Sequence, residues 1–177
     1  MKEIILLTIL CLTGIVTKAQ NSIERIKERR EFVLKSGIAS LKSNMEKQEY
    51  YLNLVALDVA YYKIVPDSAL RKQMGNHYNS LAWYSILTQD LNDAAYAVKQ
   101  SIKYNPSSNY PYSNRPLVFL LKGRFHKAKR LYLKLKDQQF NSNGTTFKDE
   151  FLEDFRELAA EGITSEDIKK ITKLLET

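Results

Sequence analysis

The stretch GNHYNSLAWYSILTQDLNDAAYAVKQSIKYNP, residues 75–106, decides how this chain is read. Its Tyr78, Ser85, Ile86, Leu91, Ala94 and Val98 return 34 positions later as Tyr112, Phe119, Leu120, Phe125, Ala128 and Tyr132. A period of that length belongs to a helix-turn-helix unit that must stack on a neighbour, because one helix pair cannot bury its own apolar face. In the first unit, helix A is expected from Tyr78 to Thr88, with Asp90, Asn92 and Asp93 supplying turn and cap. Helix B runs from Leu91 to Tyr104 and is stopped by Asn105-Pro106. In the second, helix A runs from Ser113 to Lys122, Gly123 makes the turn, and helix B extends from Phe125 to Lys136. Pro116 predicts a late start for that helix A, capped by Ser113 or Asn114, since proline is tolerated in a first turn. Ala94 and Ala128 are small where two helices approach closely.

Outward from these units the helical spacing continues. Ile23, Ile26, Val33, Leu34, Ile38, Leu41 and Met45 alternate with charges at helical intervals, predicting an amphipathic helix from Ile23 to Met45 that Gly37 weakens. Tyr50 to Val65 is richer in apolar and aromatic residues and predicts a well-buried helix ended by Pro66. Asp67 or Ser68 then caps a third helix reaching about Gln89. Beyond the repeats, Asp137 to Thr146 is a polar loop, and Phe147, Phe151, Phe155 and Leu158 share one helix face. Gly162 is placed to end that helix in the left-handed conformation, and Thr164 or Ser165 caps a last one bearing Ile168, Ile171, Leu174 and Leu175. No segment alternates as a strand does, so the expectation is an all-α chain of about eight helices.

The amino terminus has a different character. After Met1-Lys2-Glu3 comes the apolar run Ile4 to Val16, then Thr17-Lys18-Ala19-Gln20 with small residues at −3 and −1. This pattern predicts a secretory signal cleaved after Ala19, since the run is shorter than the roughly 18 apolar residues a membrane span requires. Leu10 stands where a lipoprotein needs a small residue before its cysteine, which argues against lipidation of Cys11. Processing removes that single cysteine, so the mature chain has no disulfide and depends on packing. It also removes Lys2, Lys18 and Glu3, taking the net charge from +7 to +6, a modest excess that does not suggest a nucleic-acid partner. The organisation expected is residues 1–19 as signal, 20–66 as N-terminal helices, 67–136 as two repeats, and 137–177 as loop and helical cap.

Taken together, these residues resemble the tetratricopeptide repeat family. In its 34-residue unit bulky residues stand at the fourth, seventh and eleventh places, small ones at the eighth and twentieth, and proline near the thirty-second. Counting from Gly75, the chain offers Tyr78, Leu81, Ala82, Ala94 and Pro106 there, and departs at Ser85 and Val98. The second unit matches through Gly123-Arg124-Phe125, Ala128, Tyr132 and Leu135 and departs at Arg115 and Pro116. Residues 35–66 read as a degenerate earlier unit in which Asp58 and Tyr61 fit poorly, and Phe147 to Leu175 is similar to the helical cap of some exported bacterial repeat proteins. The resemblance implies a helix-turn-helix repeat stack, an α-solenoid, that binds a protein or peptide. It places the groove at Asn76, Asn79, Trp83, Ile86 and Leu87 and at Tyr110, Ser113, Leu117, Leu120 and Leu121. Trp83 is the preferred anchor, with a core position as the equal alternative. Only Asn79 fits the lysine-and-asparagine clamp that some members use for a carboxyl terminus.

Signatures of chemistry are missing from the sequence. Two histidines, His77 and His126, stand far apart, and no metalloprotease helix, phosphate loop or nucleophile elbow occurs. Neither cofactor, metal nor catalytic residue is expected. Glu150, Glu153, Asp154 and Glu157 alternate with the phenylalanine stripe and read as the solvated face of their helix. Lys122, Arg124, Lys127, Lys129, Arg130, Lys134 and Lys136 form a basic stripe. This leaves two rivals to the scaffold: an envelope-associated module that holds anionic lipid or polysaccharide, and a non-catalytic subunit of an envelope enzyme. A membrane partner is not expected.

Overall fold

The computed structural model describes residues 20–176, and the signal-peptide expectation for residues 1–19 lies outside them. Among the described residues the chain is all-α: α1 (20–36), α2 (Asn44–Tyr62), α3 (Ser68–Leu87), α4 (Leu91–Tyr104), α5 (Tyr110–Leu121), α6 (Phe125–Leu135), α7 (Phe147–Ala160) and α8 (Glu166–Glu176). An isolated bridge between Gln139 and Thr146 closes the loop before α7. No described helix is long and apolar enough to cross a membrane.

Local chemistry sets most of these boundaries. Asp67 Oδ1 accepts from the Leu70 amide at 2.8 Å to start α3, and Asp90 Oδ1 accepts from the Asp93 amide at 3.3 Å to start α4. Such caps satisfy amides that have no partner inside the helix. Ser165 Oγ does the same for Ile168 at 3.1 Å, and Gly162 ends the preceding helix with φ of 76°.

Three expectations are corrected. The helix from Ile23 to Met45 breaks at Gly37, whose φ is 65°, and a Ser43–Glu46 capping box restarts the chain as α2. That second helix starts six residues earlier than expected and stops at Tyr62, leaving Ile64 and Val65 exposed. Helix α5 begins at Tyr110 rather than at Ser113, because Pro111 occupies the tolerated first turn and Pro116 is carried inside the helix. The bond that Pro116 cannot make leaves the α5 backbone one amide short at its centre.

Helices α2 to α6 each pack on the next in sequence, α3 also reaches α5, and α7 meets α5, α6 and α8. One apolar core runs the length of this arrangement, through Met74, Ala82, Ile86, Ala94, Leu117, Ala128, Tyr132, Phe151, Leu158 and Leu175. Ala94 and Ala128 are fully buried, as their size suggests. Gly75 is required by an approach closer still: a Cβ there would lie 2.5 Å from Asn105 Cβ, and Ser101 Oγ donates to the Gly75 carbonyl at 2.7 Å.

A buried ionic network ties α1 to α2 and α3. The Asp58 carboxylate has no solvent exposure; its Oδ1 accepts from Arg30 Nε at 2.6 Å, and its Oδ2 lies 2.6 Å from His77 Nδ1. Arg30 Nη2 also donates to Gln73 Oε1 at 2.8 Å. Asp58, which fits the expected pattern poorly, is accommodated by partners that arrive from other helices.

Candidate functional site

Helix α7 starts with a reciprocal cap: Thr146 Oγ1 accepts from the Asp149 amide at 3.3 Å, and Asp149 Oδ2 accepts from the Thr146 amide at 2.8 Å. That fixes the turn of the helix about its axis. Phe147, Phe151, Phe155 and Leu158 then point into the core. Glu150, Asp154 and Glu157, at i, i+4 and i+7, share the adjoining face.

This face closes one side of a cavity of about 240 Å³. Tyr51 of α2, Asn79, Ser80, Trp83 and Tyr84 of α3, and Tyr110, Ser113 and Asn114 of α5 make the rest of its wall. Tyr51 and Tyr84 stack with centroids 5.7 Å apart, and Tyr110 meets Phe140 edge to face at 5.0 Å. Asn114 Nδ2 donates to Asn79 Oδ1 at 3.0 Å, a bond that links α5 to α3 across the cavity wall. Larger clefts exist elsewhere, such as one of about 340 Å³ between α4 and α5, but its lining is mainly Ala95, Val98, Ile102, Val118 and Phe119. Converging polar groups distinguish the smaller one.

The electrostatics of the cavity centre on Asp154. It is only 9% exposed, and its Oδ2 has no hydrogen-bond partner. Burial pushes this carboxyl well above the usual carboxylate range, and Glu150, Glu157 and Glu153 add to the rise. Burial likewise raises Glu150, with Glu157 and Glu153 contributing, and raises Glu157, with Glu153 contributing. On the core side, the hydroxyl of the fully buried Tyr132 is also without a partner, and burial followed by the nearby Asp154 charge raises it well above its ordinary value. A carboxyl of this kind is a cost to the fold until something positive or hydrogen-bonding reaches it.

Four of the ten groove residues proposed from sequence meet at this cavity: Asn79, Trp83, Tyr110 and Ser113. Ile86, Leu117 and Leu120 instead lie in the core and line no part of the cavity, and Ser113, itself only 2% exposed, forms its wall with the hydroxyl bonded to the Tyr110 carbonyl. Leu87 and Leu121 pack against the core from its edge, and Asn76 accepts from Asn105 Nδ2 at 2.8 Å away from the cavity. The acidic residues missed from sequence complete the site. Asp154 is not part of a solvated face, because the packing of α7 against α5 buries it, whereas Glu153 and Glu157 stay exposed as expected and Glu150 is half-buried. The i, i+4, i+7 spacing of Glu150, Asp154 and Glu157 beside the phenylalanine stripe was the available signal.

The basic stripe lies elsewhere and is partly engaged. Lys122 Nζ donates to Asn92 Oδ1 at 2.6 Å, and Lys127 Nζ sits 4.1 Å above the Phe119 ring. His126 is exposed beside Phe125, and no group of three or more metal-ligating side chains gathers among the described residues. Compared with known proteins, the chain matches no protein-family model, no curated protein and no solved structure.

Proposed function

We propose that this chain is an exported, non-catalytic scaffold of tetratricopeptide-like helix pairs that binds a protein or peptide segment in the cavity between α3, α5 and α7. The observation that supports this reading is the meeting of Asn79, Trp83, Tyr110 and Ser113 at one cavity. Those residues lie on helices separated by an intervening partner, α4, which is how the first helices of successive repeats come to line a shared groove. Aromatic side chains with polar tips suit such a surface, because they supply large contact area at small entropic loss.

Affinity capture from the native envelope tests the groove. Trp83→Ala and Tyr110→Ala should each weaken capture by more than tenfold, about 1.4 kcal/mol, with helix content unchanged by circular dichroism. Loss of helicity in the Trp83 variant would place that residue in the core instead. Capture that ignores both aromatics but collapses when Lys127, Lys129 and Arg130 are neutralised, or when salt is raised, would favour a basic surface for anionic lipid or polysaccharide. Export is tested separately. Mass spectrometry of the native protein should show a chain beginning at Gln20, and an intact amino terminus would contradict it.

A further inference from the structure

If that groove binds peptides, its acidic wall determines which ones. Three carboxylates from α7 and two asparagines from α3 and α5 face a cavity whose other walls are Tyr51, Trp83, Tyr84 and Tyr110. The innermost carboxyl, Asp154, lines the cavity but has no hydrogen bond and no ion pair among the described residues, and its Oδ2 is turned inward, closed off from solvent. Elsewhere in the fold a buried aspartate is given a guanidinium: Asp58 receives Arg30.

A peptide in the groove would meet this carboxyl with a side-chain cation. No three ligating groups among the described residues stand close enough to hold a metal. An organic cation remains, and the wall discriminates between the two that proteins carry. A lysine ammonium is a compact, strongly hydrated point charge, and burying it among tyrosines sacrifices that hydration. A guanidinium is planar and weakly hydrated, stacks on aromatic faces, and presents five donors spread in a plane, which can meet the exposed side of one carboxyl and the acceptors beside it. The chain as a whole carries +7, so its long-range field does not gather basic partners. Recognition has to be local and limited to one side chain.

We propose that the cavity between α3, α5 and α7 is an arginine-selective pocket, in which a single guanidinium from a bound peptide stacks against the aromatic wall and pairs with Asp154 at its floor. Glu150 and Glu157 lie at the rim and add charge there. The asparagine amides complete the acceptor set. The inference rests on the groove reading above and specifies its occupant.

Random peptides displayed on phage and panned over the mature chain test both levels. Retained sequences should be enriched in one arginine, without enrichment of lysine tracts. The synthetic peptide acetyl-Ala-Ala-Arg-Ala-Ala-amide should then bind at least tenfold more tightly than its citrulline or lysine analogues. Trp83 is the single tryptophan, so its fluorescence reports occupancy without a label. In Asp154→Asn the arginine preference over citrulline should fall to about twofold or less, and in the more exposed Glu157→Gln by a smaller factor. Glu157→Gln keeps the test open should Asp154→Asn fold poorly. Retention of no peptide would overturn the groove and the pocket together. Retention without arginine enrichment would overturn the pocket alone. An arginine preference untouched by both carboxylate variants would also overturn it, leaving Asp154 as a structural neighbour of the Tyr132 hydroxyl.

Discussion

Asp58 and Asp154 are both buried aspartates, and the molecule treats them in opposite ways. At the junction of α1, α2 and α3, the Asp58 carboxylate meets Arg30 and His77, each at 2.6 Å. In the cavity beside α7, Asp154 has an Oδ2 without a partner and three glutamates on its own helix turns. A buried carboxylate that is matched within the chain is part of the framework; a buried carboxyl left unmatched raises the energy of the empty protein, either as an unpaired charge or as a proton retained against its usual pKa. The difference separates a carboxylate paired within the framework from the one on which the arginine pocket is proposed.

The largest expected effect breaks the first of the pair. Asp58→Ala leaves the Arg30 guanidinium, only 12% exposed, without its counter-charge. Loss of one partner of such a pair costs about 3–5 kcal/mol, which a urea titration resolves as a large fall in midpoint. Asp154→Asn should do the reverse, holding or raising the midpoint. Equal destabilisation by the two substitutions would erase the distinction between framework and site.

Acidity sharpens the same contrast. Burial raises the Asp154 pKa in the folded chain above its unfolded value of about 3.9, so the folded state keeps a proton that the unfolded state has released. That proton contributes stability in full below the unfolded pKa, and the contribution disappears as pH rises through the folded value. Glu150 and Glu157 shift in the same direction, again chiefly through burial. Thermal melts of wild type and Asp154→Asn should therefore lie close together near pH 4 and separate on the alkaline side, with the variant melting higher. A gap that narrows with rising pH would show that burial is not what governs this carboxyl.

The two aspartates also mark where reading the sequence succeeds. Helix α4 was legible at both ends because Asp90 caps it and Asn105-Pro106 stops it, all within a few residues of the helix itself. The phenylalanine face of α7 was legible for the same reason, as period and cap are local. Asp58 looked like a misfit because Arg30 and His77 stand 28 and 19 residues away, and no spacing rule connects them. Asp154 was read as solvated because only the packing of α7 on α5 removes water from its side of the helix. In α5 Pro116 pointed to a late start, whereas tertiary packing carries it inside the helix.

The smallest effects belong to the basic stripe, and they extend the comparison from carboxylates to cations. Arg130 is exposed on α6, has no ion pair or ring contact among the described residues, and its replacement by glutamine should change stability by no more than about 0.5 kcal/mol. Lys127 is exposed as well, but its Nζ lies 4.1 Å above the Phe119 ring, an arrangement worth about 0.5–1 kcal/mol at a surface. Lys127→Gln should therefore lower the urea midpoint slightly and Arg130→Gln should not. Both should leave binding of an arginine peptide unchanged, because neither residue lines the α3–α5–α7 cavity. If Lys127→Gln instead tightened that binding severalfold, the positive field of α6 would be reaching the cavity, and Asp154 would have to be regarded as partly balanced from a distance rather than unmatched.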